Sequence, residues 1–222
     1  MELSNYIEHT LLSPVSTSNQ VTQLCEEAIQ YNFKGVCVSP FYVRHAASIL
    51  EGTDVKVITV IGFPMGYSTI PAKIEEIKRA VDEGIDELDI VTNISAIKDN
   101  KWSHVQNDLD SAVRATHLHG KTAKIIIEVG LLTKEEIHKI AAVCSEIGAD
   151  YIKTSTGFNT APCSVADILA IKNACADAPM KIKAAGGIRT REQALELIKA
   201  GATRIGTSAG IQIVNATTNT PK

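Results

Sequence analysis

The segment Lys124-Ile-Ile-Ile-Glu-Val129 is apolar along most of its length and does not alternate apolar with polar residues. Parallel strands that are covered on both faces have this composition, whereas a strand with one wet face alternates. Downstream, Thr133 and Glu136 fit the capping box that begins a helix. Ile147-Gly-Ala-Asp-Tyr151 then supplies a glycine that can end the helix before the next strand. Residues 124–151 therefore predict one βα unit of a parallel sheet.

The same unit recurs along the chain. Glycine precedes a predicted strand again at residues 83–87 and 200–204, and Thr190 with Gln193 forms a second candidate capping box. Eight short β-rich runs are present, at residues 6–10, 35–38, 55–62, 87–91, 124–129, 151–155, 181–184 and 204–207. Eight alternating units favour an α/β protein with one (β/α)8 TIM barrel domain over residues 1–214, and an open doubly wound sheet is the alternative. We predict a polar, disordered tail over residues 215–222.

Composition narrows the class of protein. The chain has 222 residues, of which 45% are hydrophobic and 21% charged, with a net charge of −3. This composition is typical of a soluble globular protein, and it offers no basic surface for nucleic acid or anionic membrane. The apolar runs are too short to span a bilayer, so we expect a cytoplasmic protein. Five cysteines without a Cys-x-x-Cys pair, and scattered histidines, favour reduced thiols and no metal site.

Two lysines near the ends of predicted strands indicate the chemistry. They are Lys153, in Tyr151-Ile-Lys-Thr-Ser-Thr-Gly157, and Lys183, in Lys181-Ile-Lys-Ala-Ala-Gly-Gly187. Burying an ammonium group costs several kcal/mol without a partner, and a second cation nearby lowers the pKa and frees an amine to attack a carbonyl. Imine formation is the leading hypothesis, and a structural ion pair of Lys153 with Asp89 or Glu128 is the alternative.

Other lysines do not fit that pattern, because Lys56, Lys124 and Lys181 open their predicted strands. A solvated side chain is expected for all three.

Further candidates follow from the barrel, whose active sites form at the carboxyl ends of the strands. Polar or reactive residues late in the predicted strands are Glu8, His9, Thr10, Cys37, Asp89, Glu128 and Ser208. Asp89 is the best-placed carboxylate for moving protons during imine chemistry. The glycines of Ala185-Gly-Gly-Ile-Arg189 and Gly206-Thr-Ser-Ala-Gly210 expose backbone N–H groups that could hold a phosphate.

These segments resemble the deoxyribose-phosphate aldolases, a family of class I aldolases. Ile7-Glu-His-Thr-Leu-Leu12, Gly35-Val-Cys-Val-Ser-Pro40 and Val60-Ile-Gly-Phe-Pro-Met-Gly66 extend the likeness over essentially the whole chain. The resemblance implies a (β/α)8 barrel that reversibly cleaves 2-deoxy-D-ribose 5-phosphate into D-glyceraldehyde 3-phosphate and acetaldehyde, with no metal or organic cofactor.

The resemblance also assigns roles. It implies that Lys153 forms the Schiff base, that Lys183 is the cation that lowers its pKa and relays protons, and that Asp89 donates and accepts protons. Glu8, Thr10, Cys37 and Glu128 remain further candidates. Phosphate binding falls to Gly157, Gly186, Gly187, Gly206 and Ser208.

Some residues depart from the family pattern. Glu8 stands where the family commonly has aspartate, Ala209 replaces a second serine of some relatives, and the tail lacks a tyrosine that some relatives have. Two alternatives therefore stay open: another imine-forming barrel of transaldolase type, and a phosphosugar-binding barrel without catalysis. The expected partner is a small phosphosugar, without nucleic acid or membrane, and a homo-oligomer is left open.

Overall fold

The strands close into one barrel. The computed structural model describes residues 2–159, 161–178 and 180–216. All strand pairs are parallel, each strand pairs with the next along the chain, and the eighth pairs with the first. The strands are β1 Ile7–Leu11, β2 Gly35–Val38, β3 Lys56–Ile61, β4 Glu87–Val91, β5 Thr122–Ile126, β6 Tyr151–Lys153, β7 Lys181–Ala185 and β8 Arg204–Thr207. The predicted (β/α)8 barrel is confirmed, and the open sheet is wrong.

Helices surround this barrel. Within the described residues they are α1 Ser18–Gln30, α2 Val43–Leu50, α3 Ile70–Asp82, α4 Ile94–Lys98, α5 Trp102–Leu118, α6 Lys134–Glu146, α7 Val165–Ala174, α8 Arg191–Ala200 and α9 Gly210–Asn215, with short 3-10 helices at Leu3–Tyr6, Pro40–Tyr42 and Val129–Leu131. Among these described helices, none combines the length and the apolar composition that crossing a membrane requires.

The predicted boundary signals work as expected. The Thr133 side chain accepts a hydrogen bond from the backbone N–H of Glu136 and begins α6, and Thr190 does the same with Gln193 at α8. In both boxes the side chain at the third helical position accepts from the backbone N–H of the threonine. Gly148, after α6, has a φ of 71°, which lets the chain turn back toward the barrel.

The two faces of each strand have different surroundings. Outward residues such as Val36 and Ile61 pack under the helices in the main apolar core. Residues paired in register share a face, and inside the barrel Cys37 pairs with Ile58 on one side, whereas Asp89 pairs with Lys124 on the other. The barrel interior is thus apolar around β2 and β3 and charged around β4 to β8 and β1.

Two predicted strands, β5 and β6, differ from the structure by more than one residue at an end. β5 begins at Thr122 and ends at Ile126, so Glu128 lies beyond the strand, with a left-handed φ of 51°. β6 ends at Lys153, two residues earlier than predicted. At the other end of the chain, α9 runs to Asn215, one residue into the predicted tail. Residues 217–222 lie outside the described part, so the disordered tail stays a prediction.

Candidate active site

Lys153 and Lys183 lie side by side on neighbouring strands. Lys153 is the last residue of β6 and Lys183 the middle residue of β7, and the two are partners in register. Both ammonium groups donate to one oxygen, Asp89 Oδ2, at 2.8 Å from Lys153 Nζ and 2.6 Å from Lys183 Nζ. Lys183 is fully buried, whereas Lys153 keeps 2% of its surface and lines a cavity at the barrel mouth. Lys153 is therefore the lysine that an entering ligand can reach.

A third lysine belongs to this group. The solvated side chain predicted for Lys124 is wrong, because Lys124 is fully buried. β5 begins two residues earlier than predicted, so Lys124 is the middle residue of the strand and points into the barrel. Its Nζ lies 3.0 Å from Asp89 Oδ1 and 2.7 Å from Glu87 Oε2. Asp89 thus touches three ammonium groups.

Glu8 and Arg204 complete the group. Lys183 Nζ donates to Glu8 Oε2. The other carboxylate oxygen, Glu8 Oε1, lies 3.6 Å from Lys124 Nζ and 3.8 Å from the guanidinium of Arg204, which also lies 3.4 Å from Glu87 Oε1. Seven side chains therefore form one buried ionic network, which we call the charge cluster: Glu8, Glu87, Asp89, Lys124, Lys153, Lys183 and Arg204.

Electrostatics fix the charge state of most members. Burial alone would raise the pKa of Asp89, but the ammonium groups of Lys124, Lys153 and Lys183 outweigh it and hold that pKa well below its usual value. Burial alone would lower the pKa of Lys183, but the carboxylates of Asp89 and Glu8 outweigh it and raise that pKa. The same balance raises the pKa of Lys124. At neutral pH, Asp89 is thus an anion, and Lys183 and Lys124 are cations.

The cavity at the mouth has a volume of about 410 Å³. It is lined by Lys153 together with Thr10, Leu11, Leu12, Ser13, Pro14, Thr156, Gly157, Phe158, Ala185, Gly186, Gly187, Ile188, Arg189, Gly206, Thr207 and Ser208. All five glycine and serine positions predicted for phosphate binding are in this set, and so is Thr10. Arg189 was missed, although its guanidinium is the ordinary partner of a phosphate; its place in Gly-Gly-Ile-Arg was the signal.

Gly206 lies against Lys183. A Cβ at this position would lie 3.1 Å from Lys183 Cε and 3.2 Å from the Cβ of Ala185. Contacts this short force a neighbour to shift. The absence of a side chain at Gly206 therefore gives Lys183 the room to reach Asp89.

Three other candidate residues lie outside the charge cluster and do not line the mouth cavity. Cys37 is buried in the apolar half of the interior, where burial raises the pKa of its thiol to about 11. Glu128 accepts hydrogen bonds from the Thr156 backbone N–H at 3.2 Å and from Asn159 Nδ2 at 3.2 Å, so it holds the loop after β6. His9 lies 2.8 Å from Glu27 of α1 through its Nε2. In the described part of the chain, His, Cys, Asp and Glu side chains form no group of three or more that could hold a metal ion.

The chain is similar to known aldolases over almost its whole length. Residues 6–216 match the model of the family described as DeoC/LacD family aldolase. The deoxyribose-phosphate aldolase of Thermococcus kodakarensis is 47% identical over 215 residues, which are 96% of this chain and 96% of the relative. The deoxyribose-phosphate aldolase of Staphylococcus carnosus is 46% identical over 214 residues, again 96% of each chain.

A solved structure shows the same likeness. The deoxyribose phosphate aldolase from Aeropyrum pernix, described as a unique tetrameric structure, superposes with a TM-score of 0.90 at 30% identity. The match covers 96% of this chain and 89% of the other.

Proposed function

We propose a reaction from one premise: this chain belongs to the DeoC/LacD family of aldolases. The reaction is the reversible retro-aldol cleavage of 2-deoxy-D-ribose 5-phosphate into D-glyceraldehyde 3-phosphate and acetaldehyde, through a Schiff base on Lys153. The observation that carries the proposal is the shared carboxylate, since Lys153 and Lys183 donate to the same oxygen of Asp89 and only Lys153 reaches the cavity.

The shared carboxylate supports different roles for the two lysines. Lys183 is held as a cation by Asp89 and Glu8. Lys153 is the one of the two that reaches the cavity, so it is the amine that can attack a carbonyl. The amine attacks the C1 aldehyde of the open-chain sugar, and loss of water from the carbinolamine gives an iminium ion.

The iminium ion then accepts the electrons of the breaking bond. Removal of the proton from the C3 hydroxyl forms a carbonyl at C3, breaks the C2–C3 bond and leaves an enamine on Lys153. D-glyceraldehyde 3-phosphate departs, a proton adds to C2, and water releases acetaldehyde. Asp89 and Lys183 share a hydrogen bond of 2.6 Å and hold opposite charges, so they serve as proton acceptor and donor. Neither lines the cavity, so a water carries protons between them and the substrate.

The phosphate end of the substrate fits the other side of the cavity. Gly186 and Gly187 follow β7 and line the cavity without a side chain, Gly206 lines it from β8, and Ser208 and Arg189 are exposed at the rim. Backbone donors and a guanidinium suit a phosphate dianion. Gly157, from the loop that Glu128 holds, completes this wall.

The opposite half of the interior fits a small aldehyde. Cys37, Ile58 and Val60 form a separate apolar cluster with Leu12 and Phe63 packed against it. Leu12 is the member of this cluster that lines the mouth cavity. A donor with extra hydroxyl groups placed against it would leave those groups without partners, which costs free energy. This supports acetaldehyde as the two-carbon product over the dihydroxyacetone unit of a transaldolase-type reaction.

A cleavage assay tests the proposal. Purified protein should release D-glyceraldehyde 3-phosphate from 2-deoxy-D-ribose 5-phosphate, followed by a coupled dehydrogenase. Lys153→Ala should abolish release and Lys183→Leu should depress it by at least about 100-fold, whereas Lys199→Met, on the exposed face of α8, should leave the rate unchanged. Binding without release by the wild type would favour the non-catalytic barrel, and acceptance of dihydroxyacetone donors would favour the transaldolase type.

Two further expectations stay predictions. Self-association of this chain is proposed from the tetrameric Aeropyrum pernix relative, and light scattering after gel filtration would measure it. The cytoplasmic location follows from composition alone, and fractionation of cells would test it.

A further inference from the structure

We propose that Lys124 is a positioning residue of this reaction, which sets the charge state of Lys153 and the orientation of Asp89 from beneath the site. The proposal rests on the proposed function, because it takes Lys153 as the nucleophile. Lys124 is fully buried and does not line the mouth cavity. Any effect on the reaction must therefore pass through Asp89 or through the charge of the cluster.

Geometry gives the first support. Lys124 Nζ holds Asp89 Oδ1 at 3.0 Å, while the other oxygen, Oδ2, faces Lys153 and Lys183. A carboxylate with both oxygens held in this way has one orientation. Lys124 is itself fixed by Glu87 Oε2 at 2.7 Å, so the position of Asp89 is set from a rigid neighbour.

Counting charges gives the second support. The charge cluster contains three acidic groups, Glu8, Glu87 and Asp89, and four basic ones, Lys124, Lys153, Lys183 and Arg204. It is neutral overall when one of the four bases is uncharged, and a buried cluster with net charge is costly. Lys153 is the lysine that reaches the cavity, and an amine must be uncharged to attack a carbonyl, so the reaction begins from the neutral form of the cluster.

Several strands contribute titratable side chains to the barrel interior. They are Glu8 from β1, Cys37 from β2, Glu87 and Asp89 from β4, Lys124 from β5, Tyr151 and Lys153 from β6, Lys183 from β7 and Arg204 from β8. Glu128 follows β5 and holds Thr156. Within this set, Lys124 and Glu87 are partners that can be neutralised without touching a residue of the mouth cavity.

Lys124→Met tests the proposal, because methionine keeps most of the side-chain volume and removes the charge. The remaining three acids then balance three bases that include a protonated Lys153. The acid limb of the kcat/KM profile should move upward by about 1 to 2 pH units, as expected for a unit charge several ångströms away. Activity at pH 7 should fall about 10- to 100-fold and recover at alkaline pH.

Glu87→Gln supplies the opposite perturbation. It removes one acid, so the acid limb should move downward, and this variant decides the question if Lys124→Met does not fold. The double variant Lys124→Met/Glu87→Gln removes one charge of each sign and should return the midpoint to within about 0.5 pH unit of the wild type. Lys199→Met, exposed on α8, is the matched control and should not move it.

A merely structural role would look different. Folded variants, checked by thermal unfolding, would then lose rate equally at every pH, and unchanged midpoints in both single variants would overturn the proposal. Failure of the proposed function is distinguishable, because the wild type itself would then release no D-glyceraldehyde 3-phosphate.

Discussion

Asp89 is the carboxylate that three ammonium groups share, so replacing it with asparagine should lower both the stability of the protein and the rate of the reaction. The three Nζ atoms lie 2.6, 2.8 and 3.0 Å from the carboxylate oxygens, all inside the barrel. Asparagine keeps the shape of the side chain but offers only one acceptor and no charge. Removing one partner of a buried ion pair costs about 3–5 kcal/mol, so Asp89→Asn should lose about that much free energy of unfolding at pH 7.

The pH dependence of this loss has a definite sign. The pKa of Asp89 in the folded protein is well below its usual value, so its contribution to stability is present above the unfolded value of about 3.9 and disappears as the pH falls through the folded value. The difference in unfolding free energy between wild type and Asp89→Asn should thus be largest at pH 5–7 and shrink below about pH 4.

Urea unfolding followed by circular dichroism measures these differences, and the cleavage assay measures the accompanying loss of rate, which we expect to be at least about 100-fold. Asp110→Asn is the matched control, because Asp110 pairs with Arg114 at the surface of α5 and should change little. A loss below about 0.5 kcal/mol at pH 7, or a retained rate, would refute the role given to this carboxylate.

Three further predictions concern single positions. Gly206→Ala would place a Cβ 3.1 Å from Lys183 Cε, so we expect a lower kcat and about 1–3 kcal/mol less stability by thermal unfolding; a fully active variant would contradict the close approach. Arg189→Met should raise KM for deoxyribose 5-phosphate by at least about 10-fold, as for loss of one charge-assisted contact, and leave the rate on unphosphorylated deoxyribose unchanged; equal losses on both would remove Arg189 from the phosphate site. Burial raises the pKa of the Cys163 thiol to about 11, so labelling by a disulfide reagent should be slow at pH 7 and accelerate as the pH rises; rapid labelling of Cys163 in the native protein at pH 7 would contradict this.

Much of the fold was predictable because local signals agreed. Apolar segments such as Ile125–Ile126–Ile127, threonine capping boxes and glycines after helices each indicate the same βα unit, and eight units close a barrel. Strand ends were less predictable. Glu128 continues the apolar run in sequence, yet it leaves β5 with a left-handed backbone and holds Thr156 instead.

Lys124 shows where single-sequence reasoning fails. Its inward direction depends on where β5 begins, and a shift of two residues changes an expected solvated end into the middle of a strand. Its partners Asp89 and Glu87 come from β4, which the sequence places 35 and 37 positions away. Pairing of this kind is set by barrel register, which no local pattern reports. Lys153 and Lys183 were easier to find, because small residues and glycine follow each of them.

Trapping of the imine is the most direct test of the chemistry assigned to Lys153. The protein would be incubated at pH 7 with dilute acetaldehyde and cyanoborohydride, digested and analysed by mass spectrometry. We expect one ethyl group, on the peptide that contains Lys153, and its loss in Lys153→Ala. An ethyl group on Lys183 or Lys124, or no preference for Lys153 over exposed lysines such as Lys199, would contradict the central claim.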